Sequence, residues 1–412
     1  MFQPRLARIV PIVRLALCSA VFVGVANSAH AATRYVRKTG NDSNSGATPS
    51  QAWATLSKAA TTLVAGDIVH VGAGAYNEQL APANAGTSTS PISYIADTSG
   101  AMTGDAGSVD VRNSAGIALR VAQAYIQVIG FRFYNSGRGA VWTSGAGGLL
   151  QNCQIDGHSS NGMELTGSTV QVTVDSCLVQ SNRGIGIQLG VGASITIRDT
   201  TSQGNGFIGI TCGTNAATNI TIERCRVFAN GNDGVRINQG TLTLKNCLIY
   251  GNGREGFRLD GSSTSKTVAA WNCTIDNNVR YGVYQQQGTL TLTNSIVSNN
   301  QSYGLGYNNG ALTHTYNLFH NNTPGAYQGT AAGAGEISGD PAFLDQPAND
   351  YHLTSVSRAI NAGTSASGIV DDDLDSAPRP VEAAWDMGCY EFQDSTGSDN
   401  GVRRILSWVE LP

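Results

Sequence analysis

The chain has 412 residues, 50 of them glycine and only 13% charged, with a formal net charge of −4. That balance lacks the basic stripe that would mark a nucleic-acid partner. The length exceeds one ordinary compact domain but suits a solenoid, which grows along a single axis.

Residues 1–31 read as a signal peptide. Arg5, Arg8 and Arg14 form its basic region, Leu15 to Ala26 its apolar run, and Ala29-His30-Ala31 a small-x-small cleavage site. The apolar run is shorter than the roughly 20 residues a spanning helix needs, and no later segment replaces it. The expectation is an exported protein (extracellular, surface-bound or periplasmic) with no membrane span.

Residues 32–80 open with an extended Arg34-Tyr35-Val36 and a turn-rich loop from Thr39 to Gly46. The Asp/Asn content of that loop offers oxygen ligands, and turn chemistry explains it as well. Trp53, Leu56, Ala59, Ala60 and Leu63 then recur at helical spacing and predict a short helix that caps the open end of a solenoid. The run YVRKTGNDSNSG, WATLSKAA and AGDIVHVGAGAYNE resembles the N-terminal module of secreted bacterial β-helix proteins, family-9 pectate lyases among them.

Residues 81–328 are expected to form a right-handed parallel β-helix, an all-β fold. From Val172 to Asn322 the chain repeats with a period of about 22–26 residues and a β-type alternation. One column reads Asn182, Asn205, Asn230, Asn252, Asn278, Asn300 and Asn322; another reads Gly162, Gly186, Gly209, Gly234, Gly256, Gly282 and Gly304. Stacked asparagines hydrogen-bond from rung to rung, and the glycines are expected to supply a backbone conformation closed to other residues. Right-handedness follows from the general rule for parallel crossovers. Less regular coils precede Val172, with Ser136 and His158 in the asparagine slot. Cys153, Cys177, Cys225, Cys247 and Cys273 share a further column and are expected as buried thiols, because parallel Cβ vectors sit too far apart for disulfides.

Stacking also turns columns into ladders of candidate site residues. Asp233 and Glu255 precede successive corner glycines and are followed by Tyr281 and Tyr303; Arg254 and Arg280 are neighbours; Arg236, Arg258 and Tyr284 form an outward column. With Asp260, these residues are expected to gather on one face. One outcome is a self-neutralising surface network. The other is a groove for an acidic polysaccharide, with guanidinium forks on uronate carboxylates and tyrosines on sugar rings.

The Asn/Gly repeats are similar to those of the pectate-lyase-like superfamily. That resemblance implies β-elimination, in which Arg236 or Arg258 acts as base and Asp233 with Glu255 holds calcium. Arg254, Arg280, Tyr281, Tyr284 and Asp260 would bind substrate. Family-9 lyases carry a denser aspartate cluster than the Asn232-Asp233-Gly234 found here. A retaining glycosidase pair at Asp233 and Glu255 is a further possibility. Lys245, between Glu223 and Trp271 in its column, is expected on a different face.

Residues 329–394 resemble the choice-of-anchor Q module through GDPAFLDQPANDYHL, SRAINAGT, DLDSAPRP and WDMGCYEF, ahead of a tail at 395–412. The acidic run from Asp371 to Asp375 reads as a solvated loop. The combined expectation is a monomeric secreted protein that binds or cleaves acidic polysaccharide by lyase-like chemistry. The alternative is a non-catalytic surface or adhesion protein whose solenoid is a rigid glycan-binding spacer.

Overall fold

A computed structural model describes residues 31–114, 116–190, 194–213 and 219–393. The expected signal peptide, apart from Ala31, and the tail from 395 lie outside them.

The coil from Gly240 shows how sequence becomes a rung. In the strand Gly240–Lys245, Leu242 and Leu244 are buried while Thr241 is exposed. Asn246 then takes a left-handed φ of 51° and turns the chain, with Cys247 pointing inward. The strand Leu248–Tyr250 follows, then a second left-handed corner at Gly251 (φ 59°) and the inward Asn252. The third strand, Phe257–Leu259, buries Phe257 and Leu259 before a loop returns the chain to Lys266–Trp271, one rung on. Burying each such side chain contributes about 1.5–3 kcal/mol, and stacking is what completes the burial.

Repeated along the chain, this gives a right-handed parallel β-helix with three parallel sheets. Among the described residues, sheet A has 12 strands, from Thr33–Val36 to Ala311–Thr315, and sheet B has 12, from Gly74–Tyr76 to Ile337–Ser338. Sheet C has 10, from Ile117–Val121 to Tyr327–Gln328. The asparagine column is one continuous ladder. Asn230 Nδ2 donates to Asn252 Oδ1 at 3.0 Å, Asn252 to Asn278 at 3.0 Å and Asn278 to Asn300 at 3.0 Å. His158 stands at its head, its backbone N–H donating to Asn182 Oδ1 at 3.1 Å.

The glycine column has a different physical reason from the one expected. Gly234 and Gly256 have no left-handed φ; instead a Cβ on Gly256 would lie 2.7 Å from Asn278 Nδ2 and 2.8 Å from the Gly282 carbonyl oxygen. The glycines keep a side chain out of the ladder. The left-handed positions precede the cysteine and asparagine slots, as at Arg224, Ala229, Asn272 and Asn277.

The predicted helix is Leu56–Thr62, with Leu56, Ala59 and Ala60 buried in the solenoid core and Thr55 Oγ1 accepting from the Lys58 N–H at 3.1 Å. Asp42 in the preceding loop accepts from the Ala54 and Thr55 amides, which accounts for it by turn chemistry. The described cysteines, Cys212 and Cys389 included, are free and buried, and burial pushes the Cys212 thiol up to about 12.

Residues 340–393 lie along the outer surface of sheet B. Tyr351, Leu374, Cys389 and Tyr390 cluster with Leu248 and Tyr250, while Leu353, Ala359 and Met387 cluster with Ile296 and Leu318. The acidic run is a clamp rather than a solvated loop: Asp372 meets Arg224 at 2.7 Å, and Asp375 meets Arg226 at 3.3 Å. Sheet B from Arg226–Phe228 onward is therefore covered by the chain itself, and the arginines of sheet C stand on a separate face.

Candidate functional site

The candidate residues do converge. In sheet C, Arg236 pairs in register with Arg258, and Arg258 with Tyr284. The loop just before each of these strands stacks as well. The Asn232 amide donates to the Phe207 carbonyl at 2.9 Å, Arg254 to Asn232 at 3.2 Å and Arg280 to Arg254 at 3.0 Å. Lys245 lies in sheet A between Glu223 and Trp271, with its Nζ 3.3 Å from Glu223, away from this cluster.

Asp233 and Glu255 are buried at the floor, one rung apart, and four arginines stand around them. Arg236 Nε donates to Asp233 Oδ2 at 2.5 Å, and an Arg236 Nη lies 3.6 Å from Asp260. Around Glu255, Arg254 approaches to 3.4 Å, Arg280 to 3.5 Å and Arg258 to 3.7 Å. Arg258 also reaches Asp260 at 2.7 Å and donates to Gln286 at 3.3 Å. Burial, and then the Asp233 carboxyl beside it, hold the Glu255 carboxyl above the usual glutamate range despite the nearby arginines. Four guanidinium groups against three carboxyls leave this face with excess positive charge.

The two floor carboxyls thus position arginines. A cation between them would face several guanidinium groups, and among the described residues no group of three or more His, Cys, Asp or Glu side chains could hold a metal. A retaining glycosidase pair fits poorly too, because Asp233 is 0% and Glu255 1% exposed. Glu255 Oε2 and Arg258 Nε are buried without hydrogen-bond partners. Each such atom costs about 1–3 kcal/mol.

Aromatic rings flank the arginines. Tyr281 stacks on Tyr284 with centroids 4.9 Å apart and on Tyr303 at 6.3 Å, and Tyr281 donates its hydroxyl to Gln328 at 2.5 Å. A Cβ on Gly306 would meet these rings at 2.7 and 2.9 Å, so the glycine lets them lie against the strand. The Arg258 guanidinium sits 5.6 Å from the Tyr284 ring centroid. On the opposite side, Phe207 is 41% exposed and lies 5.8 Å from the Arg236 guanidinium. Phe207 was not among the expected site residues, although it occupies the column of Arg254 and Arg280, two positions before its corner glycine. A separate cavity of about 370 Å³, lined by His320, Asp340 and Asp345 beside sheet B, presents carboxylates and would repel a polyanion.

Comparison with known proteins bears on this geometry. Residues 115–270 match the family model described as right handed beta helix region, and residues 269–378 match one described as disaggregatase related. No curated protein matches the sequence. Among solved structures, a pectate lyase, Pel9A, is 18% identical with a TM-score of 0.62, and the alignment covers 88% of this chain and 96% of that one. XylC, solved in complex with xylose, is 9% identical with a TM-score of 0.57 over 87% of this chain and 99% of that one. What is shared is the fold. At these identities the right-handed β-helix is common ground, and the site must be argued from its own residues.

Proposed function

We propose that this protein is exported, binds an acidic extracellular polysaccharide across sheet C, and cleaves it by β-elimination. The observation that carries the reading is the quartet Arg236, Arg254, Arg258 and Arg280, held in excess over its carboxyls beside stacked tyrosines. A uronate carboxylate on such a quartet forms charge-assisted hydrogen bonds and loses much of its negative charge. That neutralisation makes the C5 proton acidic. In the elimination this proton passes to a base, the C4–O bond breaks, a C4–C5 double bond forms, and the departing oxygen takes up a proton. The Pel9A likeness is compatible with this chemistry, and the arginines supply positive charge where the uronate carboxylate would sit.

Arg236 and Arg258 are already paired with Asp233 and Asp260, and a guanidinium offers donors but no acceptor for a proton. That observation supports a second reading, in which the same face binds glycan without cleaving it and the solenoid is a rigid spacer. Incubating the mature protein with polygalacturonate and with alginate, with and without chelator, separates the two. Ultraviolet absorbance from unsaturated uronate ends supports the lyase. Retained binding with no product supports the spacer, and loss of product on chelation would restore calcium to the reaction.

A further inference from the structure

Phe207, the arginine quartet and the tyrosines occupy five successive coils. Phe207 belongs to the coil before Arg236, and Tyr303 to the coil after Tyr281 and Tyr284. Four steps at roughly 4.8 Å give a strip about 19 Å long, parallel to the solenoid axis. Its centre is cationic and both of its ends are aromatic. A small anion or a single sugar would engage only the centre, leaving Phe207 with 41% of its surface in water and no role.

Among the described residues, no bulky side chain in the outward column of sheet C closes either end of the strip. Upstream of Arg236 the outward column continues through Thr211 and Gln188. Downstream of Tyr284 it continues through Gly306 to Gln328, and the Tyr281 and Tyr284 rings lie flat over Gly306 as a platform along the path. A polymer can therefore enter from one side and leave from the other.

We infer that the sheet C face is an extended binding site for the interior of an acidic oligosaccharide chain. Ring faces stack on Phe207 at one end and on Tyr281 and Tyr284 at the other, and carboxylates sit on the arginines between. The inference rests on the polysaccharide reading above and adds the ligand's length, its direction along the axis and the role of Phe207. Aromatic platforms supply contact area at low entropic cost, while the charges fix which rings lie in the centre. An enzyme with such a site cuts within chains; a spacer with such a site binds without needing chain ends.

Calorimetric titration with di- and hexasaccharides of galacturonate and of mannuronate tests this on the mature chain. For the polymer that binds, the hexasaccharide is expected to bind at least about tenfold more tightly than the disaccharide. Phe207→Ala should weaken the hexasaccharide about five- to tenfold while leaving the disaccharide within about twofold. Tyr284→Ala should do the same from the other end, and circular dichroism of both variants checks that the solenoid is intact. Equal affinity for both lengths, lost in Arg236→Gln and Arg258→Gln but untouched by Phe207→Ala, would overturn the extended site and leave the polysaccharide reading standing. Failure of every acidic oligosaccharide to bind would overturn both.

Discussion

Single residues in this fold matter according to what a neighbouring rung puts beside them. Asn252 Oδ1 accepts from both the amide and the side chain of Asn230, and Asn252 Nδ2 donates to Asn278 and to the Val227 carbonyl. Asn252→Ala strands several of these buried groups at once and is expected to cost about 2–4 kcal/mol in urea unfolding. The glycines divide sharply. Gly256→Ala puts a methyl 2.6 Å from Ile275 Cγ2 and 2.8 Å from the Gly282 oxygen, whereas Gly251, at φ 59°, has nothing within 4 Å of its missing Cβ. Gly256→Ala should therefore destabilise by about 3 kcal/mol, and Gly251→Asn by less than about 0.5 kcal/mol, since asparagine tolerates the left-handed region. The asparagine and glycine columns were both legible as columns. Their reasons were not equally so: a ladder of amides follows from periodicity, but crowding at a missing Cβ depends on coordinates two dozen residues away.

At the level of elements, the alternation that made the strands visible also hid what covers sheet B. Leu248, Tyr250, Ile296 and Leu318 sit on or beside strands too short for an outward apolar position to stand out from the inward ones. Their partners lie some 30 to 140 residues later, in a segment without periodicity. Within the docked segment the His352 ring lies between Asp350 and Asp375 and against Tyr390, and Arg226 of sheet B meets that same Asp375 and Tyr390. Burial works against the charged ring, but the hydrogen bonds to Asp375 and Asp350 outweigh it and raise its affinity for a proton above the ordinary value near 6.5. A raised folded pKa adds stability that is complete below the unfolded value and disappears as pH rises through the folded one. Asp375 is shifted the other way, so its contribution is lost only toward acid, as pH falls through its lowered value. Protease nicking of residues 340–393 should accordingly increase as pH climbs from about 6 to about 9. His352→Gln should flatten that alkaline rise, and a rise that persists unchanged in the variant would assign the loosening to another group.

Taken as a whole, the molecule presents its positive face against a contrary background. The formal net charge is −4, and residues 1–31 carry three of the arginines and no carboxylate, so the rest of the chain is more acidic still. A polyuronate is repelled by that field at long range and attracted by the arginine strip at short range. Salt separates the two effects, because the screening length falls from about 30 Å at 0.01 M to about 10 Å at 0.1 M and about 3 Å at 1 M. Between the first two concentrations screening removes repulsion across the molecule while sparing contacts within a few ångströms. Toward 1 M it erodes the guanidinium–carboxylate pairs themselves. Polyuronate affinity, measured by calorimetry across that range, is therefore expected to hold level or rise at first and then to fall. Arg236→Gln together with Arg258→Gln should lower affinity at 0.1 M by about 10- to 100-fold, the loss of one or two charge-assisted contacts. Lys245→Gln, which removes one positive charge from sheet A, should change it less than about twofold. An affinity that declines steadily from the lowest salt, with the sheet A and sheet C variants weakened in proportion to the charge each removes, would mean that diffuse charge and not the arginine strip holds the polymer.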